Sequence, residues 1–123
     1  MATRSEALNE TLEDILDNSF DITGALVVSR DGLVMASRLP GGLDDGRVGA
    51  VSAGVLSLGV RSITQLGRGD FKQILAQGTR GNVIVTSAGS KAAFVALTNP
   101  SANLGMAFFE ANEAAERIGR ILE

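Results

Sequence analysis

The segment VGAVSAGVLSLGVRSI, residues 48–63, constrains the fold more than any other part of the chain. Its spacing is helical, yet Arg61 is its only charged residue. Small or apolar residues recur along it at steps of three and four, on two stripes of the helix rotated by about one residue. One stripe consists of Val48, Val51, Val55 and Leu58, and the other of Gly49, Ala53, Leu56, Val60 and Ile63.

A helix that lies on one sheet needs only one apolar stripe, so the second stripe requires its own explanation. Both stripes can be buried inside one chain as a single wide face, or the second can meet another subunit. The small residues Gly49, Ala50, Ala53 and Gly54 favour a subunit contact, because they let a second helix axis approach closely. A glycine inside a helix costs about 1 kcal/mol relative to alanine, so these positions are unfavourable unless close approach is used. We therefore expect a homodimer or a related heterodimer, with the second stripe at the interface.

Periodicity and turn residues predict the other elements. In chain order we expect a helix at about 4–18, strands at 23–29 and 33–38, the long helix at 45–66, strands at 71–77, 82–87 and 91–98, and a last helix at 103–122. Thr3 and Glu6 have capping-box spacing, and Asp31-Gly32 is a strong hairpin signal. The predicted fold is α+β, a five-stranded antiparallel sheet sandwiched by helices in the order α-β-β-α-β-β-β-α, as one domain over residues 1–123.

The strand FKQILAQ, residues 71–77, bears on assembly as well. Alternation turns Phe71, Gln73 and Leu75 to one side, and no proline or inward charge cluster protects the strand as a free edge. We expect this strand to pair with another subunit through Phe71, Gln73 and Leu75. The alternative is that Lys72 alone keeps a solvent-exposed edge from pairing.

The composition argues against several classes of function. The chain has no cysteine and no histidine, which excludes disulfides, thiolate metal sites and histidine-dependent catalysis. With a net charge of −3, only Lys72 and Lys91 as lysines, and no tyrosine or tryptophan, a nucleic-acid surface is not expected either. The acidic N-terminal stretch resembles neither a signal peptide nor a membrane span, so we expect a cytoplasmic protein. We also expect no catalytic, cofactor or metal site, because the carboxylates have no histidine or cysteine to act with.

The stretches VVSRDGLVMAS and NLG, together with the long helix of small residues, resemble the Roadblock/dynein light chain family, whose bacterial members include regulators of a Ras-like gliding-motility GTPase. The resemblance covers nearly the whole chain. It implies a profilin-like sheet with the strand after the long helix at one edge. It further implies dimers in which that edge pairs with its copy and the long helices pack side by side. The chain lacks GxxxxGK[ST], so it is not itself a P-loop GTPase.

The resemblance implies a non-enzymatic scaffold that binds a small Ras-like GTPase and modulates its nucleotide state or localisation, with itself or a related Roadblock subunit as dimer partner. Arg61 and Arg68 are possible partner contacts, although both can instead complement the dipole at the end of the long helix. Two alternatives stay open, a small-ligand-sensing domain of similar shape and a structural or motor-associated assembly subunit. Low aromatic content and few convergent polar groups argue against the sensor.

Overall fold

The structure is a computed structural model that describes residues 2–123. The elements are α1 (Arg4–Asn18), β1 (Ile22–Ser29), β2 (Val34–Arg38), α2 (Asp45–Gln65), β3 (Gln73–Gly78), β4 (Gly81–Ala88), β5 (Ala92–Thr98) and α3 (Leu104–Leu122). This order confirms the predicted fold class. The largest difference in boundaries concerns the third strand, which begins at Gln73 and not at Phe71.

The five strands form one antiparallel sheet in the spatial order β2-β1-β5-β4-β3. The predicted hairpins are confirmed, since β1 pairs with β2, β3 with β4, and β4 with β5. The central pairing of β1 with β5 joins the first and last strands of the chain. As a result β3, the strand after the long helix, lies at one edge of the sheet.

Helices cover both faces of this sheet. The helices α1 and α3 pack on one face, on side chains that include Val27, Ile84 and Phe94. The helix α2 packs alone on the other face, against Leu26, Val28, Val85, Ala93 and Val95. Alternation along each central strand sends neighbouring residues into opposite cores, which is why these strands read as nearly continuous apolar runs.

The β1–β2 turn supports the first half of α2. Gly32 has a φ of +91°, a left-handed conformation that few residues other than glycine adopt readily. Its N–H donates to the Ser29 carbonyl, and the Ser29 side chain accepts the N–H of Leu33. The Gly32 carbonyl oxygen lies 3.1 Å from the position that a Cβ on Gly49 would occupy. The turn and α2 therefore pack backbone against backbone.

Candidate functional site

The inner face of α2 consists of Gly49, Ser52, Leu56 and Gly59, all of which are buried within the chain. A Cβ added at Gly49 would lie 2.8 Å from Val34 Cγ2, and one added at Gly59 would lie 2.6 Å from Phe71 Cε1. These two glycines therefore serve packing inside one subunit. The prediction that Gly49 and Leu56 face a partner is wrong, because Leu56 is only 3% exposed and packs on the sheet.

The other residues predicted for that stripe lie between the two faces of the helix. Ala53, Val60 and Ile63 are half-buried, and Val60 packs against the same core cluster as Leu56. Val48 and Val55 also pack against this cluster, as expected for the sheet-facing stripe. The core side of α2 is thus a wide band that takes residues from both predicted stripes.

The opposite side of α2 forms a row that we call the outer stripe, composed of Arg47, Val51, Gly54, Leu58 and Arg61. Val51 and Leu58, which we expected on the sheet, are each 62% exposed. A Cβ at Gly54 would meet nothing within 4 Å in the chain. The steps of four, three, four and three along the row keep it on one line of the helix. The outward side of α2 therefore presents an exposed apolar row with a glycine at its centre.

The position of the outer stripe had a sequence signal that our interpretation did not use. Arg47 and Arg61 are the two arginines of α2, and their spacing returns to almost the same direction after four turns. Charged side chains are almost never fully buried unless they are paired, so the two arginines mark the solvent side. Val51, Gly54 and Leu58 lie on the line between them.

The second part of the site is the free edge of β3. The Ser87 N–H donates to the Lys72 carbonyl at 2.9 Å, and the β3–β4 register continues from this pair. In an antiparallel ladder alternate residues point their backbone groups to opposite sides. The N–H and C=O groups of Gln73, Leu75 and Gln77 therefore point away from β4, towards the open edge.

Phe71 does not share a face with Leu75, which corrects the predicted strand. Phe71 precedes β3 and packs beneath α2, where its ring contacts the backbone at Gly59. Leu75 packs on the other face of the sheet, with the α1 and α3 core. Gln73 lies at the start of the open edge. Its side-chain oxygen is buried and has no hydrogen-bond partner within residues 2–123.

The two candidate partner-contact residues are both exposed but have different settings. Arg61 ends the outer stripe and lines a small groove of about 180 Å³, where the structure also brings Arg30. Arg30 is held there by a 2.7 Å bond from its Nε to the Ser90 carbonyl. Arg68 lies beyond the helix, with its backbone N–H donating to the Ile63 carbonyl. Sequence reasoning did not identify Arg30, because it belongs to a turn far from α2 along the chain.

A groove of about 670 Å³ lies on the surface between the start of β3 and the second half of α3. Charges of both signs line it, from Lys72, Glu116, Arg120 and Glu123, beside Phe71 and Thr86. Thr86 Oγ1 is buried and makes no hydrogen bond to the described part of the chain. The mixed charges do not define one class of small ligand.

Within residues 2–123, no helix combines the length and the apolar character needed to cross a membrane. Among the same residues, no group of three or more aspartate or glutamate side chains is placed to hold a metal ion.

Comparison with known proteins agrees with the fold. Residues 8–98 match the family model of the Roadblock/LC7 domain. An uncharacterised protein of Methanocaldococcus jannaschii, MJ1340, is 35% identical over 103 residues, which is 84% of this chain and 90% of that protein. A solved MglB with a tetrameric arrangement has a TM-score of 0.88 and 26% identity over 98% of this chain and 91% of its own. The gliding protein MglB of Thermus thermophilus has a TM-score of 0.84 and 25% identity, covering 98% and 92%.

The family match spans most of the chain, and the structural neighbours share its element order and its profilin-like roadblock fold. The resemblance to the Roadblock/dynein light chain family is therefore confirmed. The chain belongs to the Roadblock/LC7 domain family.

Proposed function

We propose that this chain is a non-enzymatic, dimeric regulator in the cytoplasm that binds a small Ras-like GTPase and modulates its nucleotide state or localisation. The observation that carries the proposal is the outer stripe, an exposed apolar row on the central helix of a Roadblock domain. The match to the gliding protein MglB, and to an MglB with a tetrameric arrangement, supports a regulatory and self-assembling role.

In the proposed dimer, the outer stripes of two copies pack against each other. Burial of Val51 and Leu58 removes apolar surface from water, at about 25 cal/mol per Å². A Cβ at Gly54 would meet open space among the described residues, so this position lets the two helix axes approach closely. Arg47 and Arg61 lie at the two ends of the stripe, where a rim of the interface keeps them in water.

The open edge of β3 provides the second contact, and its sequence suggests a register. The outward residues Gln73, Leu75 and Gln77 read the same in both directions, so a two-fold axis at Leu75 places Gln73 opposite Gln77 of the partner subunit. The same register places Asp70 opposite Arg80 of the partner subunit, giving complementary charges at both ends of the joined strands.

A cysteine scan tests this edge, because the natural chain has no cysteine. Opposed residues of an antiparallel pair have Cα atoms about 4.5–5.5 Å apart, within reach of a disulfide. Leu75→Cys should therefore cross-link two chains efficiently under mild oxidation, and Ile74→Cys and Ala76→Cys should not. Stronger cross-linking at 74 or 76 would contradict the register, and no cross-linking at any of the three would contradict the edge pairing.

The GTPase is proposed to dock near Arg61 and Arg30, with Arg68 as a further cation beyond the helix. Hydrolysis itself belongs to the partner, since this chain has no P-loop motif. Cationic side chains at this end favour an acidic partner surface and speed the encounter with it. This docking site is a prediction from exposure and charge alone.

The direct test uses a purified small Ras-like GTPase from the same organism, loaded with a fluorescent guanine nucleotide. The native chain should bind it and change the rate of nucleotide release or of hydrolysis. Arg61→Glu should weaken binding by about tenfold, and Arg4→Glu, the same change at an exposed site on α1, should have no effect. Absence of binding to every such GTPase of that organism would rule the proposal out.

A further inference from the structure

A second exposed apolar surface lies on the opposite side of the sheet from α2, where α1, the α1–β1 connection and α3 meet. Phe20 is 98% exposed, and Met106 and Phe109 on the first turns of α3 are 51% and 58% exposed. We call these three residues the Phe20 surface. Soluble chains rarely leave several large apolar side chains exposed together without a partner.

The connection that presents Phe20 is firmly attached on both sides. The Ser19 hydroxyl donates to Glu110 Oε1 at 3.0 Å and accepts the N–H groups of Asp21 and Ile22. Asp21 Oδ1 accepts the N–H of Asn103, the residue that caps α3. Phe20 is therefore held outwards by its neighbours, and its exposure does not come from a loose chain end.

The same bonds fix the chain around Phe20 to the first half of α3. Asn103 and Glu110 contact the residues on either side of Phe20, and they lie seven positions apart on α3. Met106 and Phe109 lie between these two positions along the helix. The three exposed apolar side chains therefore belong to the same region of the surface.

Acidic side chains lie next to the Phe20 surface, between α1 and α3. A groove of about 190 Å³ between α1 and α3 is lined by Asp14, Glu110 and Glu113, with Arg117 as its one cation. Arg117 is paired with Asp14 at 2.9 Å. Asp17 occupies the last turn of α1, which has no basic residue, although the negative end of a helix dipole favours cations.

We propose that the Phe20 surface docks a basic amphipathic helix of a partner protein, with apolar side chains on Phe20, Met106 and Phe109 and lysine or arginine side chains in the acidic groove. The acidic groove favours a basic segment as the partner, because its carboxylates attract lysine and arginine side chains and repel an anionic membrane. The surface lies on one chain, away from the outer stripe and the β3 edge. It therefore does not depend on the proposed dimer or on the GTPase.

The probe is a fluorescent peptide of about 18 residues with leucine and lysine at amphipathic helical spacing. Its anisotropy is measured with the full chain at physiological salt, beside a peptide with glutamate at every lysine position. The native chain should bind the lysine peptide, and Phe20→Ser and Glu113→Lys should each weaken binding by about tenfold. The glutamate peptide should bind at least about tenfold more weakly than the lysine peptide.

The matched control is Leu33→Ser, which removes an exposed apolar side chain at the far end of β1 and should leave binding unchanged. Equal affinity of the native chain and Phe20→Ser would overturn the proposal, as would equal binding of the two peptides. A smaller assembly for Phe20→Ser in sedimentation would also overturn it, because the occupant would then be a second copy of this chain. Loss of the dimer in Leu58→Asp without loss of peptide binding would separate this surface from the proposed function.

Discussion

The helices α2 and α3 lie on opposite faces of one sheet and both bury an apolar side against it, but their outward sides differ. Along its second half, α3 presents Asn112, Glu113, Glu116 and Arg120 to water. The outward side of α2 presents Val51, Gly54 and Leu58 over two turns. The second half of α3 therefore ends in a solvated surface, and the outward side of α2 does not.

The contrast separates apolar residues needed by the fold from those that the fold does not use. On α3 the buried alanines at 107, 111, 114 and 115 bring the helix close to the sheet, and polar residues occupy the outward side of its second half. On α2 the residues Gly49, Leu56 and Gly59 already perform the packing on the sheet. The apolar outer stripe contributes little to the stability of a single chain, which agrees with our proposal that a second copy covers it.

The largest expected effect is the loss of the proposed dimer on Leu58→Asp. A carboxylate placed in an apolar contact is desolvated without a partner, and we expect dimer affinity to fall at least about a hundredfold. The control is Asn112→Asp, which adds the same charge to the outward side of α3 and should leave the mass unchanged. If both variants sediment like the native chain, the difference between the two helices has no consequence for assembly.

The next largest effect is a difference in the free energy of unfolding between substitutions on the inner face of α2 and on its outer stripe. In the Leu58→Asp background, Leu56→Ala should lower the free energy of unfolding by about 2–5 kcal/mol, because it leaves a cavity between α2 and the sheet. Val51→Ala in the same background should change it by less than about 0.5 kcal/mol, since Val51 is exposed in a single chain. Urea titration measures both, and similar losses for the two would show that Val51 is not a surface residue.

A smaller effect is expected at Gly54, where one substitution should stabilise the single chain but weaken the dimer. In the Leu58→Asp background, Gly54→Ala should stabilise the chain by about 0.5–1 kcal/mol, since alanine is the better helix former and its Cβ meets open space. In the native background it should weaken the dimer by about tenfold, because the added methyl group separates the two helices. Gly46→Ala, near the helix start, is the control and should leave the dimer unaffected. A tighter dimer on Gly54→Ala would contradict the close approach at this position.

The smallest effect concerns the register of the two β3 strands. An exposed ion pair contributes about 0.2–1 kcal/mol, so Asp70→Arg or Arg80→Asp alone should weaken the dimer only a few-fold, with the loss reduced at high salt. The double variant Asp70→Arg/Arg80→Asp should recover most of the loss, as sedimentation equilibrium can show. Additive losses in the double variant would indicate that these two residues do not face each other.

Sequence reasoning recovered the order of elements because their signals are local. The Asp31-Gly32 turn, the Thr3 cap of the first helix and the apolar spacing of the last helix each depend on neighbours along the chain, and all three appear in the structure. The edge position of β3 followed from the family resemblance. Assigning the faces of α2 failed because both stripes are equally apolar, so only the position of the sheet decides which one is buried. Leu56 and Leu58 are the same residue type, yet they differ in exposure from 3% to 62%.

The remaining errors also arose where tertiary contacts decide. Alternation placed Phe71 with Leu75, but the strand begins only at Gln73, and Phe71 turns beneath α2 to fill the space left by Gly59. Phe20 carried no signal, because a phenylalanine between a helix and a strand is usually part of a core. Its exposure depends on the contacts of Ser19 and Asp21 with α3, which are distant in sequence.

The central claim is that a second copy of the chain covers the outer stripe of α2. Sedimentation equilibrium of the native chain over a wide range of concentration tests this most directly. We expect twice the mass of one 12.7 kDa chain, falling to the single-chain mass for Leu58→Asp. A native chain that is folded and remains at 12.7 kDa at every concentration would contradict the claim.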